Sequence, residues 1–144
     1  MTAIRLDQIN LIVRDVAASQ AFYARLGQPL GDAEDEVWAR HHVSAPHNDD
    51  SPIDFDVDST TFVQQWDAGW AGGPGVVIGF KVEGRDEVDR LVTELTADGV
   101  PVQQAPYDAF WGARYAVVSD PDGNGVGIMS EVDPARRSAP PLPE

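Results

Sequence analysis

In "IDFDVDS", Asp54, Asp56 and Asp58 alternate with Ile53, Phe55 and Val57. Residues two apart on a strand share a face, so the three carboxylates form one row. Such a row attracts a protonated amine or accepts hydrogen bonds from ligand N–H groups. Crowding would raise some of their pKa values. As an exposed strand face the same row would simply be solvated. A second set is aromatic: Tyr107, Phe110 and Trp111 cluster in "YDAFWGA", and Trp38, Trp66 and Trp70 are the remaining tryptophans. A flat ligand stacks on such side chains, each platform contributing ~1–3 kcal/mol by analogy with nucleic-acid bases. Trp111 is the first choice for that role, and Trp38 stands evenly between ligand and core. Trp66 and Trp70 read as structural or as part of a dimer seam.

Other chemistries lack their residues. His41 and His42 are adjacent and point to opposite faces of a strand, and His47 lies in the polar loop "SAPHNDD". They do not make a metal set, although one of them could hydrogen-bond a ligand. No G-x-S-x-G elbow occurs, and Ser119 before Asp-Pro reads as strand-end structure. "GGPG" lacks the following lysine and hydroxyl residue of a phosphate loop.

The elements that position these residues follow from periodicity. Residues 4–13 alternate as a strand, with Ile9, Leu11 and Val13 on one face and Gln8, Asn10 and Ile12 on the other. A helix follows, capped by Asp15 and closed by Gly27. Residues 36–43 and 52–58 are shorter strand candidates, and 59–66 a short helix started by Ser59 or Thr60. The order then recurs: a strand at 76–83, a helix at 84–99 with Val88, Leu91, Val92 and Leu95 on one side, and strands near 100–103, 113–119 and 125–130. In 76–83 the apolar set Ile78, Phe80 and Val82 opposes Val77, Gly79 and Lys81. In 125–130 Val126 and Ile128 oppose Gly125, Gly127 and Met129. Each strand therefore has an apolar face suited to packing under helices, opposite a small, polar or acidic one. Lys81, the only lysine, shares the second face and would pair with one of the aspartates there.

The 144 residues suit one domain of residues 1–132, with modules at about 4–58 and 76–130 and a flexible tail at 133–144. Ten basic against 24 acidic residues give a net charge of −14, which disfavours nucleic acid and anionic membranes and suits cationic or neutral ligands. No apolar run reaches the ~18 residues of a membrane span. The absence of cysteine excludes disulfides and thiol chemistry and fits a cytoplasmic location. The first ten residues lack a signal-peptide pattern.

"LDQINLIVRDVAASQAFYARLG", followed about a hundred residues later by "FWGARYAVVSDPDGNGVGI", resembles the vicinal oxygen chelate superfamily of glyoxalases, extradiol dioxygenases and bleomycin-resistance proteins. The resemblance covers residues 4 to about 130, and W-G-x-R…D-P-D-G-N is its most specific part. It implies an α+β fold in which two paired βαβββ modules form a curved open sheet cleft with helices outside, assembled as a homodimer. Metal ligands of the superfamily would fall on Gln8, Asp54, Val77 and Gly127. Valine and glycine coordinate nothing, so Gly127 looks like a vacated ligand position and no metal or other cofactor is expected. Arg114, in the W-G-x-R segment, would hold the loop or a dimer contact rather than a ligand. The segments "DFDVDSTTFVQQWDAGW" and "FWGARYAVVSDPDGN" look like the drug-binding, mitomycin-resistance type.

The leading expectation is sequestration, without catalysis, of a planar or cationic antibiotic-like molecule. Its site would comprise Trp111, Tyr107, Phe110, Trp38, Asp54, Asp56, Asp58 and Gln8. Two alternatives stand beside it: a metal-dependent lyase or dioxygenase with displaced ligands such as Gln8, Asp54, Asp56 and a histidine, and an interaction module with a vestigial cleft.

Overall fold

The computed structural model describes residues 3–31, 36–46 and 52–143. Strand β1 (Arg5–Val13) leads into helix α1 (Val16–Ala24), whose first turn is closed by Asp15 accepting from the Ala18 backbone N–H at 3.0 Å. Gly27 follows at φ +79°, the left-handed conformation that ends helices and suits glycine. After them come the short helix α2 (Glu36–Ala39) and strands β2 (His42–Ser44) and β3 (Asp54–Ser59). The second half runs through β4 (Gly75–Lys81), helix α3 (Arg85–Ala97), β5 (Val102–Asp108), β6 (Arg114–Ser119) and β7 (Gly125–Met129).

The seven strands of the described residues join one open mixed sheet in the order β2-β3-β1-β4-β7-β6-β5. The halves meet where β1 and β4 pair antiparallel, and each of these strands pairs in parallel with the last strand of its own half. The second half has the expected βαβββ order. The first, among the described residues, has α2 where its second strand was expected.

The expected strand at 36–43 is thus corrected to helix followed by the three-residue β2. Its cause is tertiary: from α2, Trp38 stacks on His42 four residues later and meets Phe62 and Phe110 edge-on. The expected helix at 59–66 shrinks to a single 3-10 turn, Val63–Gln65, because Ser59 belongs to β3 and Phe62 offers no side-chain cap.

Alternation decides what each face carries. On the convex face Val57, Val43, Leu11 and Val13 pack under Val16 and Tyr23 of the first half. Val82, Ala116, Val118 and Ile128 pack under Val88, Leu91, Val92 and Leu95 of α3. The expected apolar face of α3 is therefore the one buried. Burying one such aliphatic side chain contributes about 1.5–3 kcal/mol. Arg114 ties these layers together, donating to Asp89 from Nε (3.0 Å) and Nη2 (2.8 Å) and to Asp108 at 3.3 Å.

Residues 133–138, expected as the start of a flexible tail, lie against the loop before β6. The Asp133 N–H donates to the Gly112 carbonyl at 2.9 Å, and the Ser138 N–H to the Phe110 carbonyl at 2.8 Å. Among the described residues no helix is long and apolar enough to cross a membrane.

Candidate functional site

Strand register puts the polar residues of the concave face in rows. Asp54 lies beside Gln8, Gln8 beside Gly79, and Gly79 beside Gly127. One step along, Ser44, Asp56, Asn10, Val77 and Gly125 form the next row. His42 stands opposite Asp58. Polar side chains thus come from β1, β2 and β3, while β4 and β7 contribute mostly small residues.

A cleft of about 320 Å³ opens over this surface. Gln8, Asn10, His42, Asp54, Asp56 and Asp58 line its polar wall. Trp38, Phe62, Trp66, Phe110, Trp111, Tyr115 and Met129 line the rest. No lysine or arginine is among them.

On the polar wall, the Gln8 Nε2 donates to Asp56. Burial pushes the Asp56 carboxyl above the usual range; the His42 charge and a Ser44 hydrogen bond oppose this, and neighbouring Asp58 and Asp54 add to it. His42 makes hydrogen bonds with Asp58 through Nδ1 (2.8 Å) and with Ser44 Oγ through Nε2 (3.0 Å). Burial alone would lower its pKa, but the hydrogen bond to Asp58 and the charges of Asp58 and Asp56 outweigh burial and raise it. The Asn10 side-chain oxygen is buried and has no hydrogen-bond partner among the described residues.

On the aromatic wall, Trp111 meets Phe110 and Tyr115 edge-on, each with ring centroids 5.1 Å apart, and its indole N–H points at the Met129 sulfur at 3.1 Å. Tyr115 reaches across β7, where a Cβ on Gly127 would lie 2.6 Å from the phenol oxygen. The missing side chain at Gly127 is therefore replaced by a tyrosine ring, in the sense of the close approach that explains glycine in a strand. The D-P-D-G-N segment forms a tight turn, with Asp120 accepting from the Asp122 and Asn124 backbone N–H groups at 2.9 and 2.8 Å.

Of the residues singled out from sequence, Gln8, Asp54, Asp56, Asp58, Trp38, Phe110 and Trp111 are brought together on the cleft wall. Tyr107 is not: it lies behind Trp66 and Tyr115, its hydroxyl donating to the Trp66 carbonyl at 3.3 Å. Lys81 pairs with Asp7 (3.5 Å) and Glu131 (3.9 Å) and not with the aspartate row. His41 turns to Ser59 Oγ at 2.9 Å, and His47 falls outside the described residues. Asn10, Phe62, Trp66, Tyr115 and Met129 were missed as cleft residues, and His42 is the one of the three histidines, left open as a ligand partner, that lines the cleft. Parity with Gln8 and Gly127 signals Asn10 and Met129; the others need the tertiary fold.

Metal ligation fits poorly. Gln8 is engaged with Asp56, Val77 is buried in the core of the concave face, and Gly127 lies under Tyr115. Among the described residues no three His, Asp or Glu side chains converge as a metal set. A catalytic ion needs about three protein ligands and an open position, which these residues do not provide.

A family model described as "Glyoxalase/Bleomycin resistance protein/Dioxygenase superfamily" matches residues 5–128. Among solved structures, the Mn(II)-bound glyoxalase from Novosphingobium aromaticivorans superposes with a TM-score of 0.64 at 18% identity, over 96% of this chain and 43% of that one. Methylmalonyl-CoA epimerase from Mycobacterium tuberculosis gives 0.58 at 17%, over 89% and 88% of the two chains. A superfamily member from Vibrio splendidus gives 0.57 at 17%, over 91% and 100%. Such identities establish likeness of fold alone. No curated protein sequence matches the chain.

Proposed function

The chain belongs to the glyoxalase/bleomycin resistance protein/dioxygenase superfamily, and on that premise we propose that it binds and sequesters a planar, cationic organic molecule, in the manner of the bleomycin- and mitomycin-resistance type. One observation carries this reading: a carboxylate wall of Asp54, Asp56 and Asp58 and an aromatic wall of Trp38, Phe110, Trp111 and Tyr115 line one cleft that, among the described residues, no lysine or arginine lines. A flat cation satisfies both walls, its charge meeting the carboxylates while its rings stack on indole. The poor donor set for a divalent ion favours binding over the metal-dependent lyase or dioxygenase reading. The cleft volume does the same against a vestigial cleft filled by its own side chains. A homodimer belongs to the same proposal. It draws support from Leu6, Val76 and Ile78, which leave 44%, 41% and 40% of their surfaces exposed on the convex strip between α1 and α3.

N-Methylacridinium, a permanent cation, and acridone, a neutral ring system of similar size, test charge and shape separately through quenching of tryptophan fluorescence. The cation is expected to bind in the micromolar range, about −8 kcal/mol, and at least tenfold (about 1.4 kcal/mol) tighter than acridone. Trp111→Ala should weaken the cation by a further factor of about ten. Equal affinities for both probes would remove the carboxylate wall from the account, and an unchanged Trp111→Ala affinity would move the site elsewhere.

A further inference from the structure

His42 holds a place in the cleft that the proposed ligand would also claim. Strand register sets it opposite Asp58, to which Nδ1 is bonded at 2.8 Å, and its ring lies nearly parallel to Trp38, with centroids 5.1 Å apart and planes 20° apart. It thus touches both a carboxylate and an aromatic platform, the same two surfaces that a flat cation would use. The side chain of Asp58 is only 3% exposed, so this carboxylate depends on a partner within the cleft.

We propose that His42 is the specificity-determining residue of the cleft: its imidazolium is the built-in counter-cation of Asp58 and Asp56, and a bound cationic ligand displaces the proton from it. This inference rests on the proposed binding of a planar cation and names how that binding is regulated. The proton leaves Nδ1 or Nε2 for solvent, the neutral ring keeps a hydrogen bond to Asp58 or Ser44, and the ligand's charge takes over the carboxylates. Affinity for a permanent cation then rises with pH up to the free protein's His42 pKa and levels off above it. The limiting slope is about tenfold per pH unit for one displaced proton.

Among the described residues, the other groups near His42 are accounted for by position: Arg137 lies against Trp38, Phe110 and Trp111 in the adjoining pocket, and His41 turns to Ser59. From β3 come Asp56 and Asp58, with Asp54 further along the row. Protonating Asp56 in acid weakens cation binding in the same direction as His42. From β1 the facing side chains are Gln8 and Asn10, from α2 Trp38, and from the loops Phe62 and Phe110, all uncharged. Tyr115 from β6 has its pKa pushed well up by burial and stays a neutral phenol. Asp67 is buried next to Trp66, outside the cleft lining, and burial pushes its pKa up to about 6.

The test is calorimetric titration of the full chain with N-methylacridinium between about pH 5.5 and 8.5, in buffers of different ionisation enthalpy, which counts the protons released. Expected are release approaching one proton below the His42 pKa and an affinity that climbs and then levels. His42→Gln, which retains an amide for Asp58, should bind with an affinity that no longer climbs with pH through this window and should release no proton. In the wild-type chain, the His42 imidazole carbon resonance should titrate at lower pH when the probe is bound, a readout that does not depend on the variant folding. Binding without proton release overturns the proposal and leaves the cation reading intact. A wild-type slope retained in His42→Gln overturns it as well and assigns the proton to Asp56 or Asp67. No binding at any pH overturns both.

Discussion

Alanine at Gly112 is expected to destabilise the chain by about 2–4 kcal/mol, the range in which backbone strain and a steric clash combine. Gly112 sits at φ +100°, and a Cβ there would lie 2.4 Å from the Asp133 carbonyl oxygen and 3.2 Å from Arg137 Cγ. The first is a backbone atom held in place, since the Asp133 N–H donates back to the Gly112 carbonyl and its side chain caps the Pro134–Arg136 turn. Relief would require lifting residues 133–138 from the loop that carries Phe110 and Trp111. Loss of stability should therefore come with weaker binding of N-methylacridinium. Gly123→Ala is the control: its φ is +89°, with nothing within 4 Å of the added carbon, so it incurs only the conformational cost of about 1–2 kcal/mol. Urea unfolding of both variants decides the point. Equal losses would mean that the segment after β7 yields freely to the loop.

The second large effect belongs to Asp67. It is wholly buried, and among the described residues neither carboxylate oxygen has a hydrogen-bond partner of ordinary geometry. Burial pushes its pKa from 3.8 up to about 6, the Gly69 backbone N–H offsetting part of the rise. The folded state therefore holds this proton more tightly than the unfolded chain does. The sign follows: between about pH 4 and 6 the folded state binds more protons at this site, so stability falls as pH rises through that window. Asp67→Asn removes the ionisation. The stability of the variant relative to wild type should increase by about 2–3 kcal/mol between about pH 4 and 7. Taking this difference cancels the other carboxylates, and a constant offset from the new amide does not alter its slope. A flat difference across the window would show that Asp67 ionises freely in the fold.

Some of this molecule was plain in its residues. The two-residue alternation in 4–13, 52–58, 76–83 and 125–130 decided which side chains meet the helices and which face the cleft. Local chemistry sufficed because a strand side chain has only two directions to choose from. Asp15 and Gly27 bounded α1 for the same local reason. Gly127 also stood out, since a glycine inside an apolar strand needs a neighbour to explain it.

The identity of that neighbour was beyond the sequence. Tyr115 covers Gly127 because β6 lies beside β7 and its ring crosses the strand, a contact set by packing and not by spacing along the chain. Trp38 shows the same limit: α2 forms where alternation suggested a strand, its tryptophan stacking on His42 and touching Phe62 and Phe110. Lys81 has the parity of the cleft face, yet β1 bulges between Leu6 and Gln8, and the lysine pairs with Asp7 and Glu131 instead. Tyr107 falls behind the wall that Trp111 forms. The sequence by itself determined the faces, the helix limits, the acidic row and the lack of side-chain donors at Val77 and Gly127. Only the tertiary structure decided which aromatic rings close over that row and that His42 stands inside it, because long-range packing couples residues whose separation along the chain carries no periodic signal.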